Sequence, residues 1–493
     1  MSVDGAIRRD PESAAAEPFD LIVVGAGIHG AAAALEASRR GLRVLVLDRG
    51  DFGGETSWSS LRILHGGLRY LQSFDLVRFR ESVKARSWYV RELPSLVEPL
   101  VCLMPLYGEG PRRKTLLGPA LALNELLRRV WAADSERDLI PGSRLLGATE
   151  VRNRFPAVRT TGLQGGALWH DAYVSQPQRV LIEMLRRVVS RGGSALNYVE
   201  ATGWCLDDGN RILGVEARDL LTDTPITFAS RAVLNCAGPW ARGLDGANWP
   251  AGTESHAPSL AFNLLLDCPL DTASTVAVQP AGGGRTYFLH PMGTRTLAGT
   301  YHAAADGPGG TPSEAQISEF IGDLRAAIPG FAPARSDVLR VLAGTLPAKR
   351  VGTDDVETRD LWADAGARGG PEGLFTLVGV KYTTAPLAAK RAVKRIVQRC
   401  FPTVGGTGDG MTEPAPRPVP AWQEFADLAR NHREQARVLV QAIVDNEGVT
   451  TVEDLLLRRV DWGLVPSEFD EAARLAGSWF PELVPGEAEP GSD

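Results

Sequence analysis

The sequence predicts an α/β protein: a Rossmann-like domain interleaved with an antiparallel-sheet domain, then a helical C-terminal domain. Three observations carry this. A strand, a glycine-rich turn, a helix and a second strand stand in register over residues 20–48. Buried-strand runs recur far downstream, at 231–236 and 374–378, so the first domain is assembled from separated segments. Between them lie short alternating runs of the antiparallel kind, and past a Gly/Pro-rich stretch at 405–420 the pattern turns helical.

The first element is Leu21 to Val24, a continuous apolar run rich in β-branched residues, as a buried parallel strand should be. Gly25, Gly27 and Gly30 follow at the G-x-G-x-x-G spacing, with Ile28 and His29 between the last two. The first glycine permits a tight turn, the second lets backbone approach a pyrophosphate, and the third lets the helix pack on the strand. That helix, Ala31 to Arg40, offers free N–H groups and a partial positive charge at its start. Gly41 ends it, and Arg43 to Leu47 is the second strand. Asp48 closes that strand, where a carboxylate accepts hydrogen bonds from a ribose diol. The motif predicts a dinucleotide and does not separate NAD from FAD.

Asp51 to Ser60 is a Gly/Ser/Thr loop, and His65-Gly66-Gly67 predicts close backbone approach to a flat ligand. A long helix over Asp75 to Leu93 stops at Pro94. Val101 to Met104 reads as a strand, Leu116 to Trp131 as a helix, Glu150 to Pro156 as a short helix, and Gly165 to Trp169 as a strand. Gln178 to Arg191 is an amphipathic helix ending at Gly192-Gly193. Segments at 195–199, 203–207, 211–218 and 226–228 form a small meander. Runs at 261–266, 275–278, 286–289 and 296–299 predict a second sheet that covers substrate, with a helix at Glu314 to Ile328. Leu374 to Val378 enters Gly379-Val380-Lys381-Tyr382-Thr383-Thr384 and a helix to about Gln398.

The chain has 493 residues, more than one ordinary core holds. The predicted division is a disordered tail at 1–18, a two-lobed region at 19–402, a linker at 403–420, a helical domain at 421–484 and a tail at 485–493. Within the two-lobed region, segments at 19–100, 165–250 and 335–402 form the nucleotide lobe. Segments at 101–164 and 251–334 form the substrate lobe. A net charge of −6 gives no excess of positive charge to favour nucleic acid. Five scattered cysteines with no C-x-x-C pair read as reduced thiols of a cytoplasmic protein, not a disulfide frame or a metal site. The apolar stretch at 116–133 carries Pro119, Glu125, Arg128 and Arg129, so a helix packed on its own protein is favoured over one lying on a membrane surface.

Gly25–Asp48, Leu64–Leu71, Asn235–Trp240 and Gly379–Thr384 resemble, in order, the motifs of FAD-dependent glycerol-3-phosphate dehydrogenases. These belong to a wider group that includes D-amino-acid oxidase and glycine oxidase. Val449 to Arg459 is similar to a segment of that family's small helical domain, so the resemblance covers most of residues 19–470. It implies an FAD-binding Rossmann-like domain interleaved with an antiparallel-sheet substrate domain. It implies that the Gly25 loop, Asp48 and Arg49 hold the ADP half of FAD. Ser57, Ser60, Arg62 and the His65-Gly66-Gly67 turn would lie along the flavin. Val199 would contact adenine, and Ala237, Gly238 and Trp240 the pyrophosphate side. Lys381, Tyr382, Thr383 and Thr384 would meet the flavin ring, where a helix start or a lysine stabilises the negative charge of its reduced form. Arg69, Arg359 and Lys381 match substrate-contacting cations, and Tyr70 a neighbouring contact.

Two positions depart from the family pattern. Leu346 stands where the family has an arginine before proline, and Asn263 stands where its substrate strand offers a histidine. Leu346 cannot bind phosphate bidentately, so glycerol 3-phosphate itself is put in question. His65 is the first candidate for a polar group beside the flavin; His290 and His302 read more simply as structural or surface histidines. The expected reaction is hydride transfer from a small anionic secondary alcohol to FAD, with electrons passed to a quinone, another carrier or oxygen. An amine or amino-acid oxidase, a tailoring oxidase on another phosphate or phosphonate alcohol, and a catalytically silent FAD-binding protein stay open. So do a peripheral membrane contact and a homodimer.

Overall fold

The computed structural model describes residues 5–68, 70, 75–108, 114–132, 139–246, 257–350, 352–403 and 413–483. Its first sheet is built around Phe19–Val24, which is apolar on both faces and buried. The sheet runs Leu361–Asp364, Leu374–Val378, Thr224–Asn235, Phe19–Val24, Val44–Leu47, Ser194–Leu196. All neighbours are parallel except the Leu361–Asp364 edge. The register Val24↔Asn235 and Asn235↔Thr376 brings three strand ends, from chain segments more than a hundred residues apart, to one rim. Helices Ile28–Arg39, Pro177–Ser190 and Ala385–Cys400 cover one face. The alanine-rich side of Ile28–Arg39 lets all three approach closely. The other face is covered by the meander Val199–Leu206, Ile212–Asp219 and the first half of Thr224–Asn235.

The second sheet is long and mostly antiparallel. Its order is Val338–Ala348, Ala257–Leu266, Arg295–Ala304, Tyr287–Met292, Thr275–Val278, Val97–Leu106, Gly165–Val174, Ile63–Leu64. Alternation divides its side chains. Phe262, Tyr287, Leu289 and Tyr301 pack against Ile317, Phe320 and Leu324 of the helix Glu314–Ala327. That helix starts with a capping box, Ser313 with Gln316. On the opposite face Met104 and Trp169, with Phe288 against them, cluster with Phe79 and Val83 of the Leu76–Glu92 helix and Leu117 and Leu121 of the Lys114–Trp131 helix.

Three predicted boundaries move. Gly165–Val174 and Val338–Ala348 belong to the second sheet, not to the nucleotide lobe. Both are apolar runs whose partners, not their composition, decide the sheet they join. The expected disordered tail is structured over its described part: Pro11–Ala15 is a helix, Ile7 is buried, and its N–H donates to Asn446 O at 2.8 Å. Arg9 pairs with Asp219. Residues 404–412 of the predicted linker, and all of 485–493, lie outside the described residues.

The C-terminal domain packs Trp422–Asn431, Arg433–Asn446, a π-helical turn at Asp454–Arg459 and Pro466–Trp479 around its own core. Phe425 stacks on Trp462 with ring centroids 3.8 Å apart. It docks on the nucleotide domain through buried ion pairs. Arg459 donates to both oxygens of Asp51 at 2.6 and 2.7 Å, and Arg179 to both oxygens of Glu447 at 2.5 and 2.7 Å. Arg62 reaches Asp461 at 2.5 and 2.9 Å. Arg62 and Asp461 both have left-handed backbones, φ 64° and 59°. Such a conformation costs roughly 1–2 kcal/mol in a non-glycine residue, which the pairing offsets. No helix among the described residues is long and apolar enough to cross a membrane.

Candidate functional site

The carboxyl ends of the parallel strands and the open face of the second sheet enclose a cavity of about 1400 Å³. This is the crevice position expected of an open α/β sheet. It exceeds the roughly 300–1,000 Å³ of a single-ligand pocket.

Gly27, Ile28 and His29 form one wall, at the start of the Ile28–Arg39 helix. Gly25 has φ 97°, and a Cβ on Gly30 would lie 1.8 Å from Gly25 O, so the turn closes only with glycine at both positions. A Cβ on Gly27 would meet nothing but Ser57 Oγ, so its outer side is open. The Ile28 N–H donates to Ser57 Oγ at 3.0 Å. His29 is held against Gly379, and its Nε2 is buried without a partner. Burial pushes its pKa below the ordinary value, against the pull of the Asp360 carboxylate 3.9 Å from Nε2. Ser60 Oγ and Thr345 Oγ1, also on the wall, are likewise buried without partners.

Asp48 lies off this wall. Its carboxylate accepts from the Ala26 N–H at 2.7 Å and the Gly50 N–H at 3.0 Å. Burial raises its pKa to about 7, and the nearby charges of Asp51 and Glu55 add to the shift. The Val199 N–H donates to Asp48 O at 2.8 Å. Arg49 lies 4.3 Å over the Trp240 ring, and the Ala237 N–H donates to Asn235 Oδ1 at 3.0 Å. Of the expected residues at this end, Gly238 lines the cavity, with Cys236 and Pro239 beside it; Asp48, Arg49, Ala237 and Trp240 do not. Val199 is packed in the core beneath the meander and does not line the cavity, so the expected adenine contact is not seen.

At the opposite end, Gly379 to Thr384 lines the cavity and leads into the Ala385–Cys400 helix, whose Leu387 and Ala388 N–H groups donate back to Thr384 O, both at 3.1 Å. Lys381 Nζ donates to Tyr70 OH and sits 4.6 Å over its ring. Tyr382 is anchored outward: its hydroxyl donates to Pro177 O at 2.7 Å, and Tyr89 OH donates to Tyr382 O at 2.8 Å. Thr383 and Thr384 complete the turn.

His65 faces the cavity with Asp171 behind it, Nδ1 to Oδ2 3.2 Å. Asp171 also accepts from the Gly66 N–H at 2.7 Å, Arg86 at 3.1 Å and Trp169 Nε1 at 3.2 Å. Burial alone would raise the Asp171 pKa; the bonds from His65, Arg86 and Gly66 reverse this and hold it below the ordinary value. Gly67 lines the cavity, but Gly66 does not and packs on the Leu76–Glu92 helix: a Cβ on Gly66 would lie 2.1 Å from Arg86 Nη1. The expected flat ligand therefore does not explain Gly66; Arg86 does.

Of the two expected substrate cations among the described residues, Lys381 stands on the wall and Arg359 does not. Arg359 is exposed and off it, because the loop turns there: Thr358 faces the cavity, and Asp360 accepts from the Val380 N–H at 3.0 Å. Arg69 lies outside the described residues. Asn263 and Leu346 are both wall residues. Asn263 donates to Ser59 O at 2.7 Å and accepts from Thr300 Oγ1 at 2.8 Å. His302 lines the cavity; His290 does not, and it binds Thr275 Oγ1 at 2.8 Å with its pKa pushed down to about 4 by burial and by Arg62.

Sequence reasoning missed Asp171, Arg86, Arg159 and Arg285. A signal existed for Arg86: Phe79, Val83, Arg86 and Val90 share one helical face, so an arginine stands in an apolar stripe. Asp171 likewise interrupts a buried strand run. Nothing in the sequence marks Arg159 or Arg285.

Glycine closures, a helix start whose N-cap is Gly27, and unpartnered buried hydroxyls along one cavity fit an extended dinucleotide. Residues 20–395 match the family described as "FAD dependent oxidoreductase". A glycerol-3-phosphate dehydrogenase of Synechocystis is 28% identical over 395 residues, 77% of this chain and 70% of that protein. The fold resembles the glycerol-3-phosphate dehydrogenase of Bacillus halodurans complexed with FAD, with a TM-score of 0.67 and 20% identity over 95% of this chain and 92% of the other. It also resembles the L-proline dehydrogenase of P. horikoshii, with a TM-score of 0.55 and 14% identity over 78% and 94%.

Proposed function

Since the chain belongs to the family of FAD-dependent oxidoreductases, we propose that it oxidises an anionic secondary alcohol to a ketone, as a glycerol-3-phosphate dehydrogenase does or on a related phosphate or phosphonate alcohol. The observation that supports this most is the His65–Asp171 pair, with the imidazole toward the cavity and the carboxylate buried behind it. When bound, FAD would supply the two-electron oxidising power, as the hydride acceptor. Everything else falls to the chain.

Asp171 accepts from Nδ1, which fixes the proton there and leaves Nε2 as the base toward the cavity. Nε2 then takes the hydroxyl proton as the carbonyl forms. Arg86, held on Asp171 at 3.1 Å, keeps that carboxylate ionised and in place. Lys381 and the start of the Ala385–Cys400 helix favour negative charge at the other end of the reacting region. The Gly25 turn, Asp48 and Arg49 are proposed to hold the ADP half, and Ser57, Ser60 and Arg62 to lie along the flavin. The electrons leave to a quinone, another carrier or oxygen.

The test is anaerobic bleaching of the purified yellow protein. Hydroxy anions are expected to bleach it, and the matching amino acids are not. His65→Asn is expected to slow bleaching by about 10²–10⁴-fold, the usual range for losing a general base. Bleaching by amino acids alone would transfer the protein to the amine-oxidising branch. An undiminished rate in His65→Asn would remove His65 from the mechanism.

A further inference from the structure

The wall between His65 and the far rim is apolar. From Asp171, beside His65, the strand Gly165–Val174 runs back to Gly165, which pairs with Leu106. That is six residues, about 20 Å of extended strand. Along this path Trp169 and Met104 face the cavity, with Phe288 beside them, its ring 4.9 Å from His65. Leu346 faces the same space, half-buried and belonging to no apolar core cluster.

At the far rim, just past Leu106, Arg159 lies 4.0 Å over the Tyr107 ring, and Tyr107 OH donates to Arg159 O at 3.0 Å. The other wall cations differ in their partners. Arg62 is paired with Asp461, Arg78 with Asp75, Arg285 with Asp354 and Lys349 with Asp355. Among the described residues, Arg159 and Lys381 are the wall arginine or lysine side chains with no carboxylate within ion-pair distance. Lys381 sits with Tyr70 in the turn before the Ala385–Cys400 helix; Arg159 sits at the outer rim.

We propose that Arg159 is the anion-recognising residue, and that the substrate is a long amphiphile. Its secondary alcohol lies at His65, its anionic group at Arg159, and an apolar chain between them packs on Trp169, Met104 and Phe288. This rests on the alcohol-oxidising reading above and narrows it away from a three-carbon phosphate, whose anion could not reach Arg159 while its carbinol lay at His65. The reaction is unchanged: hydride to FAD, hydroxyl proton to His65, ketone formed.

The test compares five alcohols on the holoenzyme by anaerobic flavin bleaching: 9-hydroxydecanoate, 9-hydroxydecyl phosphate, neutral 2-decanol, 3-hydroxybutyrate and glycerol 3-phosphate. One or both long anions are expected to half-saturate at least tenfold below the short anions, since each buried methylene is worth about fourfold. They should also lie about ten- to a hundredfold below 2-decanol, the range for a charge-assisted contact. Which long anion is preferred identifies the anion as carboxylate or phosphate. Arg159→Gln should abolish the advantage over 2-decanol while leaving 2-decanol itself unchanged, and Arg159→Lys should restore part of it. Equal or tighter half-saturation by the short anions, or an Arg159→Gln effect shared by 2-decanol, overturns the proposal. If no alcohol bleaches the flavin while dithionite does, it is the alcohol-oxidising reading that fails.

Discussion

Asp48 shows how one side chain can couple cofactor and proton. Its pKa is raised to about 7, chiefly by burial. A ribose diol donating to it would favour the ionised form, so FAD binding should expel a proton wherever Asp48 starts protonated. Below about pH 7, affinity for FAD should rise with pH by up to tenfold per unit; above it, affinity should level off. The free protein runs the other way. A folded pKa above the unfolded value near 3.9 contributes stability that is whole below that value and is lost as pH rises through about 7. Flavin-fluorescence titrations of the apoprotein between pH 5 and 8 measure the first effect; an affinity independent of pH would remove Asp48 from the ribose site. The sequence placed Asp48 from the strand and glycine spacing alone, because that register leaves a strand-end side chain no other position. It could not place Asp171, whose role depends on a partner 106 residues away.

Among the elements, the loop from Asp51 to Arg62 depends most on its neighbours. Arg459 holds one end and Asp461 the other. Thr56 Oγ1 donates to Thr345 O at 3.1 Å, and Ser59 Oγ to Ala343 O at 2.6 Å, which stitch its middle to the second sheet. Asp461→Ala would strand the Arg62 charge in a buried site, at a cost of about 3–5 kcal/mol. The expected result is a lowered urea midpoint and a faster loss of FAD on dilution, while the core of the C-terminal domain stays folded by near-ultraviolet circular dichroism. FAD retention at the native rate would mean that the loop holds its shape alone. The individual strands and helices were legible because their periodicity is local: Leu374–Val378 and Thr275–Val278 fall where the apolar runs end. Sheet membership was not, since Gly165–Val174 and Val338–Ala348 are apolar enough for either sheet and are assigned by pairing across the chain.

For the molecule as a whole, the N-terminal segment acts as a fastener. Ile7 enters the main core, its N–H bonds to the C-terminal domain at Asn446, and Arg9 reaches the meander at Asp219. Composition alone made this stretch look like a polar tail, because its anchors are single residues separated by alanine and charge. Deleting residues 1–9 removes one buried isoleucine, worth about 1.5–3 kcal/mol, and the pairing of Asp219. Urea unfolding should shift by at least that much; an unchanged midpoint would make the segment ornamental. The buried pairs from Glu447, Arg459 and Asp461 carry a further implication for biosynthesis. The residues that fasten the Asp51–Arg62 loop leave the ribosome long after Phe19–Val24 and Val44–Leu47, so a nascent chain has its first nucleotide strands well before that loop is held. Yellow colour should therefore arrive only once Arg459 and Asp461 have emerged and paired.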